Sequence, residues 1–204
     1  MIKKILVGNL IETNCYIIFD ENTKDAMVID PGEKNEKITD FIDENNLKVK
    51  YIYLTHCHFD HVMGAVWLKD KTGALIATLD KEKENLEDTD VNMGKAMILI
   101  PICLTPDKVF FEGDEIQIGE LNFKVIHTPG HTSGSSCLYG EGMLISGDTL
   151  FKGTYGRCDL PTGNLYKIVE SIKEKLYTLP DSTIVYPGHG TDTTIFNEKK
   201  NDEF

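Results

Sequence analysis

No stretch of the chain approaches the roughly 18 consecutive apolar residues of a membrane-spanning helix, so no membrane span is expected. The start, Lys3-Lys4-Ile5-Leu6-Val7, is basic and then apolar, but Gly8-Asn9 ends the run. A secretory leader needs a longer apolar region and a small-residue cleavage site. A first strand is the better reading, and the expected compartment is the cytoplasm. The five cysteines are odd in number and no pair has CxxC spacing, which excludes a disulfide framework as the organising device. Most are expected as small core hydrophobes. Basic residues are scarce: 21 Lys and Arg face 33 Asp and Glu, for a formal charge of -12. Phosphate-rich partners need clustered cations, so neither nucleic acid nor an anionic membrane is an expected partner. Linkers, repeats and low-complexity blocks are also missing.

What is present fits a globular chain. With 204 residues, 41% apolar and 26% charged, it reads as a single domain over residues 1–204. Apolar, β-prone runs predict strands at 15–19, 26–29, 51–54 and 75–77. Ile38, Phe41 and Ile42 mark one face of a helix over 35–46, and a second helix is expected near 64–71. Residues 80–96 read as a helix followed by a mobile loop around Asp88 to Gly94. Strands at 109–111, 116–118 and 123–126, separated by Gly-containing turns, read as antiparallel hairpins. Further strands are expected at 136–139, 142–146 and 183–186, and a helix at 164–177 carries Leu165, Ile168, Val169, Ile172 and Leu176 on one face. From Asn197 onward the chain reads as a solvated tail. Strands and helices recur in similar order in both halves. Two mixed sheets packed together with helices outside would satisfy that order.

The chemistry concentrates in the histidines. Three of the six fall in His56-Cys57-His58-Phe59-Asp60-His61, directly after an apolar strand. Loops at strand ends are where functional groups gather. Neutral imidazole and carboxylate suit zinc, and also iron and manganese. In extended backbone His56 and His58 project to the same side, and Cys57 to the other. His131 and His189 follow later strands in Pro-Gly-His contexts, and Asp148 follows Gly147. These seven side chains are too many for one tetrahedral ion, and two ions about 3.5–4 Å apart would use them with Asp148 as a bridge. Asp30, before Pro31-Gly32, is either a turn residue or an acceptor that fixes the tautomer of a ligand imidazole. His127 is read outside the ligand set.

Thr55-His56-Cys57-His58-Phe59-Asp60-His61 resembles the defining motif of the metallo-β-lactamase superfamily. Thr128-Pro129-Gly130-His131, Gly147-Asp148-Thr149 and Tyr186-Pro187-Gly188-His189-Gly190 are similar to its later motifs, in order. The segment Gly153-Thr154-Tyr155-Gly156-Arg157-Cys158-Asp159 is similar to the glyoxalase II-like branch, the hydroxyacylglutathione hydrolases. The resemblance implies an α/β (α+β) fold, a four-layer αββα sandwich of two mixed sheets. It implies one metal on His56, His58 and His131, a second on Asp60, His61 and His189, and Asp148 between them. Two divalent ions, zinc foremost, would serve hydrolysis of a small-molecule thioester or ester by a metal-bound hydroxide, with Asp60 and Asp148 as the catalytic carboxylates. The stretch 190–204 is too short for the helical extension that supplies glutathione contacts in glyoxalase II itself. A sibling reading is a persulfide dioxygenase with one iron on His56, His131 and Asp148, which would leave His61 and His189 unexplained. A metal-binding protein without turnover is the non-enzymatic alternative.

Overall fold

Every residue of the strand Thr13–Phe19 is buried. Its alternate side chains must therefore enter two different cores. Cys15, Ile17 and Phe19 enter one, Tyr16 and Ile18 the other. The next strands repeat the split: Ala26 and Val28 against Met27 and Ile29, then Ile52 and Leu54 against Tyr53. Such a sheet needs a layer on each face.

The computed structural model describes residues 1–201 and supplies both layers. The first sheet runs in chain order through β1 (Ile2–Val7), β2 (Thr13–Phe19), β3 (Asp25–Ile29), β4 (Lys48–Leu54), β5 (Leu75–Leu79) and β6 (Lys108–Phe110). Pairings are antiparallel as far as β3 and parallel beyond it. On its outer face lie α1 (Glu36–Glu44), with Ile38 and Ile42 buried, and α3 (Ala65–Thr72), with Ala65 and Leu68 buried. A short helix α2 (Phe59–Val62) precedes α3, and α4 (Lys83–Glu87) and α5 (Gly94–Ile98) follow β5.

The second sheet has β7 (Glu115–Ile118), β8 (Leu121–His127), β9 (Ser136–Gly140), β10 (Met143–Gly147), β13 (Ile184–Pro187) and β14 (Thr193–Thr194) in the order 14-13-10-9-8-7. A small hairpin, β11 (Leu150–Phe151) and β12 (Thr154–Tyr155), stands apart. Between the sheets, Tyr16, Met27, Tyr53 and Leu79 meet Ile116, Phe123, Val125 and Leu138. Outside the second sheet, Ile168 on α6 (Leu165–Glu170), then Ile172 and Leu176, pack on Ile126, Cys137 and Val185. Three cores between four layers make the αββα sandwich, with each fully buried Ile or Leu contributing about 1.5–3 kcal/mol.

The structure departs from the sequence expectations in four places. The strand at 108–110 does not join a hairpin with β7; it extends the first sheet parallel to β5. Phe110 decides this by packing on Tyr51 and Tyr53, ring centroids 5.6 and 6.4 Å away. Residues 88–94 are anchored where a loose loop was expected. Asn92 is fully buried, and its carbonyl accepts from Phe59 N at 2.9 Å. The expected tail contains helix α7 (Ile195–Lys200), capped by Thr194, with Ile195 in the outer core. Asp202 and Glu203, the end of that expected tail, lie outside the described residues. The helix over 164–177 is present but changes pitch, from α to a π turn (Ser171–Lys175) and a 3-10 turn (Leu176–Thr178). No helix among the described residues is long and apolar enough to cross a membrane.

Candidate metal centre

Parallel neighbours end at the same edge of a sheet. In the first sheet β3 and β4 are parallel, and in the second β10 and β13. The loops leaving these four strands, and the one leaving β8, carry Asp30, His56, His58, His131, Asp148 and His189. Asp60 and His61 sit on α2, with His58 at its N-cap position; His61 N donates to His58 O at 2.9 Å. The two edges are tied together next to the cluster. Asn14 Nδ2 and Tyr16 Oη donate to Pro187 O at 2.8 and 2.7 Å, and Ser136 N donates to Thr55 O at 3.0 Å. Gly188 leaves room that no other residue would: an added Cβ would strike the Asp148 carboxylate and lie 2.8 Å from His61 Cε1.

Hydrogen bonds assign the imidazole tautomers. His131 Nδ1 lies 2.8 Å from the Arg157 carbonyl, and His189 Nδ1 lies 2.7 Å from the Glu12 carbonyl. A carbonyl only accepts, so both Nδ1 atoms carry protons. His61 Nδ1 lies 3.0 Å from Asp30 Oδ2 and donates to it. The Thr55 hydroxyl gives its proton to Asp30 Oδ2 at 2.6 Å, so His56 Nδ1, 3.1 Å from that hydroxyl, is the donor there. In the neutral rings, each of the four Nε2 atoms then turns a lone pair inward. His56 and His131 bring theirs to 3.2 Å, and His61 and His189 bring theirs to 3.2 Å. Lone pairs so placed repel unless a positive charge lies between them. His58 is turned the other way, with Nδ1 2.8 Å from His131 Nε2, and its buried Nε2 has no partner.

The carboxylates complete the cluster. Asp148 Oδ1 lies 3.4 Å from His61 Nε2, and Oδ2 lies 3.5 Å from His131 Nε2 and 3.4 Å from His189 Nε2. This one side chain therefore reaches both groups of histidines, and its buried Oδ1 has no hydrogen bond. Asp60 Oδ2 lies 3.3 Å from His189 Nε2 and 3.6 Å from His61 Nε2. Burial holds His56 and His131 below the usual histidine value and takes His58 down to about 3. Burial opposes charge on His189 too, but the Asp148 and Asp60 carboxylates outweigh it and lift His189 to about 11. Asp148, although burial pushes it up, is held well below the usual carboxylate range by His61 and His189. The site thus has three neutral imidazoles on one side and a pair of carboxylates seeking positive charge on the other.

Donor atoms of His56, His58 and His131 all lie within 4.8 Å of one another, as do those of Asp60, His61 and His189. Asp30, His56 and His61 lie as close, but Asp30 spends its oxygens on Thr55 N, the Thr55 hydroxyl and His61 Nδ1. It orients the ring instead of facing the cluster. Imidazole nitrogens and carboxylate oxygens suit first-row divalent ions, so the residues present fit a dinuclear metal site. The Cys57 side chain packs in the outer core, away from it. His127 Nε2 lies 2.9 Å from Ser133 O, outside the cluster.

Several supporting residues carry no signal in the sequence. Glu82, in a charged, weakly periodic stretch that reads as a helix, is fully buried. It accepts from Cys57 N at 2.7 Å, from the Thr132 hydroxyl at 2.9 Å and from Asn85 Nδ2 at 2.6 Å. It thereby ties the His56–His58 loop to the His131 loop. Burial lifts its carboxyl to about 7. Asn14 and Tyr16 act on the metal-bearing loops in the same indirect way. A cleft of about 310 Å³ opens over the cluster, bounded by Asp60, Asp148, His189 and a run of apolar side chains.

A sequence model described as the Metallo-beta-lactamase superfamily matches residues 8–189. An uncharacterized protein of Aquifex aeolicus (strain VF5) is 41% identical over 98% of this chain and 94% of its own length. Hydroxyacylglutathione hydrolase GloC of Haemophilus influenzae is 35% identical over 98% of this chain and 96% of its own. Among solved structures, the BLEG-1 B3 metallo-beta-lactamase is similar with a TM-score of 0.91 and 37% identity, covering 100% of this chain and 99% of that one. TTHA1623 in a di-iron-bound form is similar with a TM-score of 0.86 and 31% identity, covering 99% of each chain.

Proposed function

From the premise that this chain belongs to the metallo-beta-lactamase superfamily, we propose that it is a dinuclear metallo-hydrolase acting on thioesters. His56 Nε2, His58 Nδ1 and His131 Nε2 would hold one ion. Asp60, His61 Nε2 and His189 Nε2 would hold the other, with Asp148 shared. The carrying observation is the convergence of four Nε2 atoms in two pairs, each 3.2 Å apart, beside the one carboxylate that reaches both groups. When bound, two such ions polarise a carbonyl and acidify water at neutral pH. Zinc fits the donors, and so does iron.

The chain's own residues supply position and proton handling. Asp60 lines the cleft, and its carboxyl is lowered: burial pushes it up, but His61 and His189 more than offset that. It is thus ionised at neutral pH and placed to accept a proton from an attacking water. Asp30 holds the His61 tautomer, and the Arg157 and Glu12 carbonyls hold those of His131 and His189. Such outer partners typically matter 10–100-fold for metal affinity or activity. A thiolate leaves with little help, so the lack of a dedicated acid in the cluster suits a thioester. The complete trio of Asp60, His61 and His189 supports hydrolysis over a single-iron dioxygenase, which has no use for it.

Metal analysis of the purified protein, followed by thiol release from acyl thioesters including S-lactoylglutathione, tests the reading. The expected result is close to two ions per chain and thiol release that a chelator abolishes. Hydrolysis of a β-lactam such as nitrocefin with no thioester turned over would overturn the thioester assignment. Bound metal with no turnover of thioesters, esters or lactams would overturn the enzyme.

A further inference from the structure

The cleft over the cluster has a wall that metal binding does not account for. Away from the ligands it is lined by Ile11, Phe59, Met93, Met97, Phe151 and Leu160. A second groove of about 240 Å³ continues from it, sharing Ile11, Phe59 and Asp60 and adding Leu10, Met63, Ile98 and Ile100. Leu10, Met97 and Ile100 leave 66%, 50% and 51% of their surface open to water. Contiguous exposed apolar surface running into a reaction centre marks a ligand-binding wall. Helix α5 is bracketed by Met93 and Leu99 at φ 64 and 58, a left-handed conformation uncommon for residues that carry side chains.

Charge narrows the ligand further. Among the described residues lining both grooves the one permanent cation is Arg157, and Asp159 takes its Nε and Nη2 at 2.8 Å each. Glu33 faces the second groove, while Asp60 and Asp148 belong to the metal site. Along the apolar wall a carrier with two carboxylates, as in a glutathione conjugate, meets the Glu33 carboxylate and no unpaired side-chain cation among the described lining residues. An uncharged arm meets Ile, Leu, Met and Phe.

We infer that the substrate is an uncharged thioester whose apolar arm lies along the Ile11–Phe59–Ile100 groove. This rests on the thioester reading above and names the class of substrate within it. Two measurements separate the claims. The first is calorimetric binding of non-hydrolysable thioethers to the metal-loaded protein: S-methyl- and S-octyl-N-acetylcysteamine, and S-octylglutathione. The octyl compound should bind at least about 10-fold more tightly than the methyl one, because each buried methylene adds to affinity. It should also bind more tightly than S-octylglutathione. Ile100→Asp should weaken octyl binding about 10-fold, since it puts a charge against the arm. Val66→Asp, on the exposed face of α3, should leave it unchanged. Equal binding of the methyl and octyl compounds, or tighter binding of the glutathione conjugate, would overturn the inference. The second measurement is thiol release from acetyl- to octanoyl-N-acetylcysteamine. Turnover that rises with chain length supports both readings. Octyl binding without release of thiol from any thioester keeps the groove and removes the thioester. Release that ignores chain length, with equal methyl and octyl binding, does the reverse.

Discussion

Replacing Glu82 with Gln should alter the pH dependence of stability more than stability itself. Glu82 is wholly buried, and its partners Cys57 N, Thr132 Oγ1 and Asn85 Nδ2 are all donors. Burial still wins over those three bonds and moves the carboxyl from 4.5 to about 7. In that interval the native chain keeps a proton on Glu82 that the unfolded chain has released. The native state then binds more protons, so stability falls as pH rises, and the loss is complete above the folded value. At about 1.4 kcal/mol per pKa unit the full effect is about 3 kcal/mol, of which about 2 kcal/mol falls between about pH 5.5 and pH 8. The Glu82→Gln chain has nothing to titrate there. Its amide keeps one acceptor for Cys57 and Thr132, and a flip of the Asn85 amide serves the other end. Urea unfolding followed by the fluorescence of Trp67, the single tryptophan, gives both stabilities across pH. Their difference cancels the other titrating groups, the metal ligands included. Wild type should lose about 2 kcal/mol relative to the variant over that range. A difference flat to within about 0.5 kcal/mol, or one that grows with pH in favour of wild type, would refute the reasoning.

Asp148→Asn should lower bound metal below two ions per chain and cut turnover at least about 100-fold, given that even outer partners cost about 10–100-fold; metal analysis and unchanged far-UV circular dichroism check it. Asp30→Asn removes the anionic acceptor of the Thr55 hydroxyl and His61 Nδ1, and metal affinity measured by chelator competition should drop about 10–100-fold. Metal loading at neutral pH should release protons, because the carboxylates that lift His189 to about 11 keep it protonated on the ion-free chain and a ligand nitrogen must give that proton up. Calorimetry in buffers of differing ionisation enthalpy reads this directly, and zero release contradicts it. Gly188→Ala should abolish metal binding while the sandwich persists, since the new methyl strikes Asp148 and crowds His61. Wild-type metal content in that variant would show that the loop can yield.

The sequence by itself carried the donors and the layers. His56, His58, Asp60 and His61 fall within seven residues of a strand end, so their pattern is local and visible without a fold. Apolar runs in both halves and the helix-spaced Ile38 and Ile42 are local too, and they led to two covered sheets. What acts across the chain left no such trace. Nothing periodic marks Glu82 as the acceptor for Cys57 and Thr132, or Asn14 as the donor to Pro187, 173 residues away. The pairing of β6 with β5 was settled by Phe110 finding Tyr51 and Tyr53. The structure brings Asp148 within 3.5 Å of both groups of histidines, and it alone decided that Ile11, Phe59 and Met97 from separate segments form one wall. The reason is physical: donor chemistry and periodicity are properties of neighbouring residues, while buried polar satisfaction and cleft shape arise only when distant segments meet.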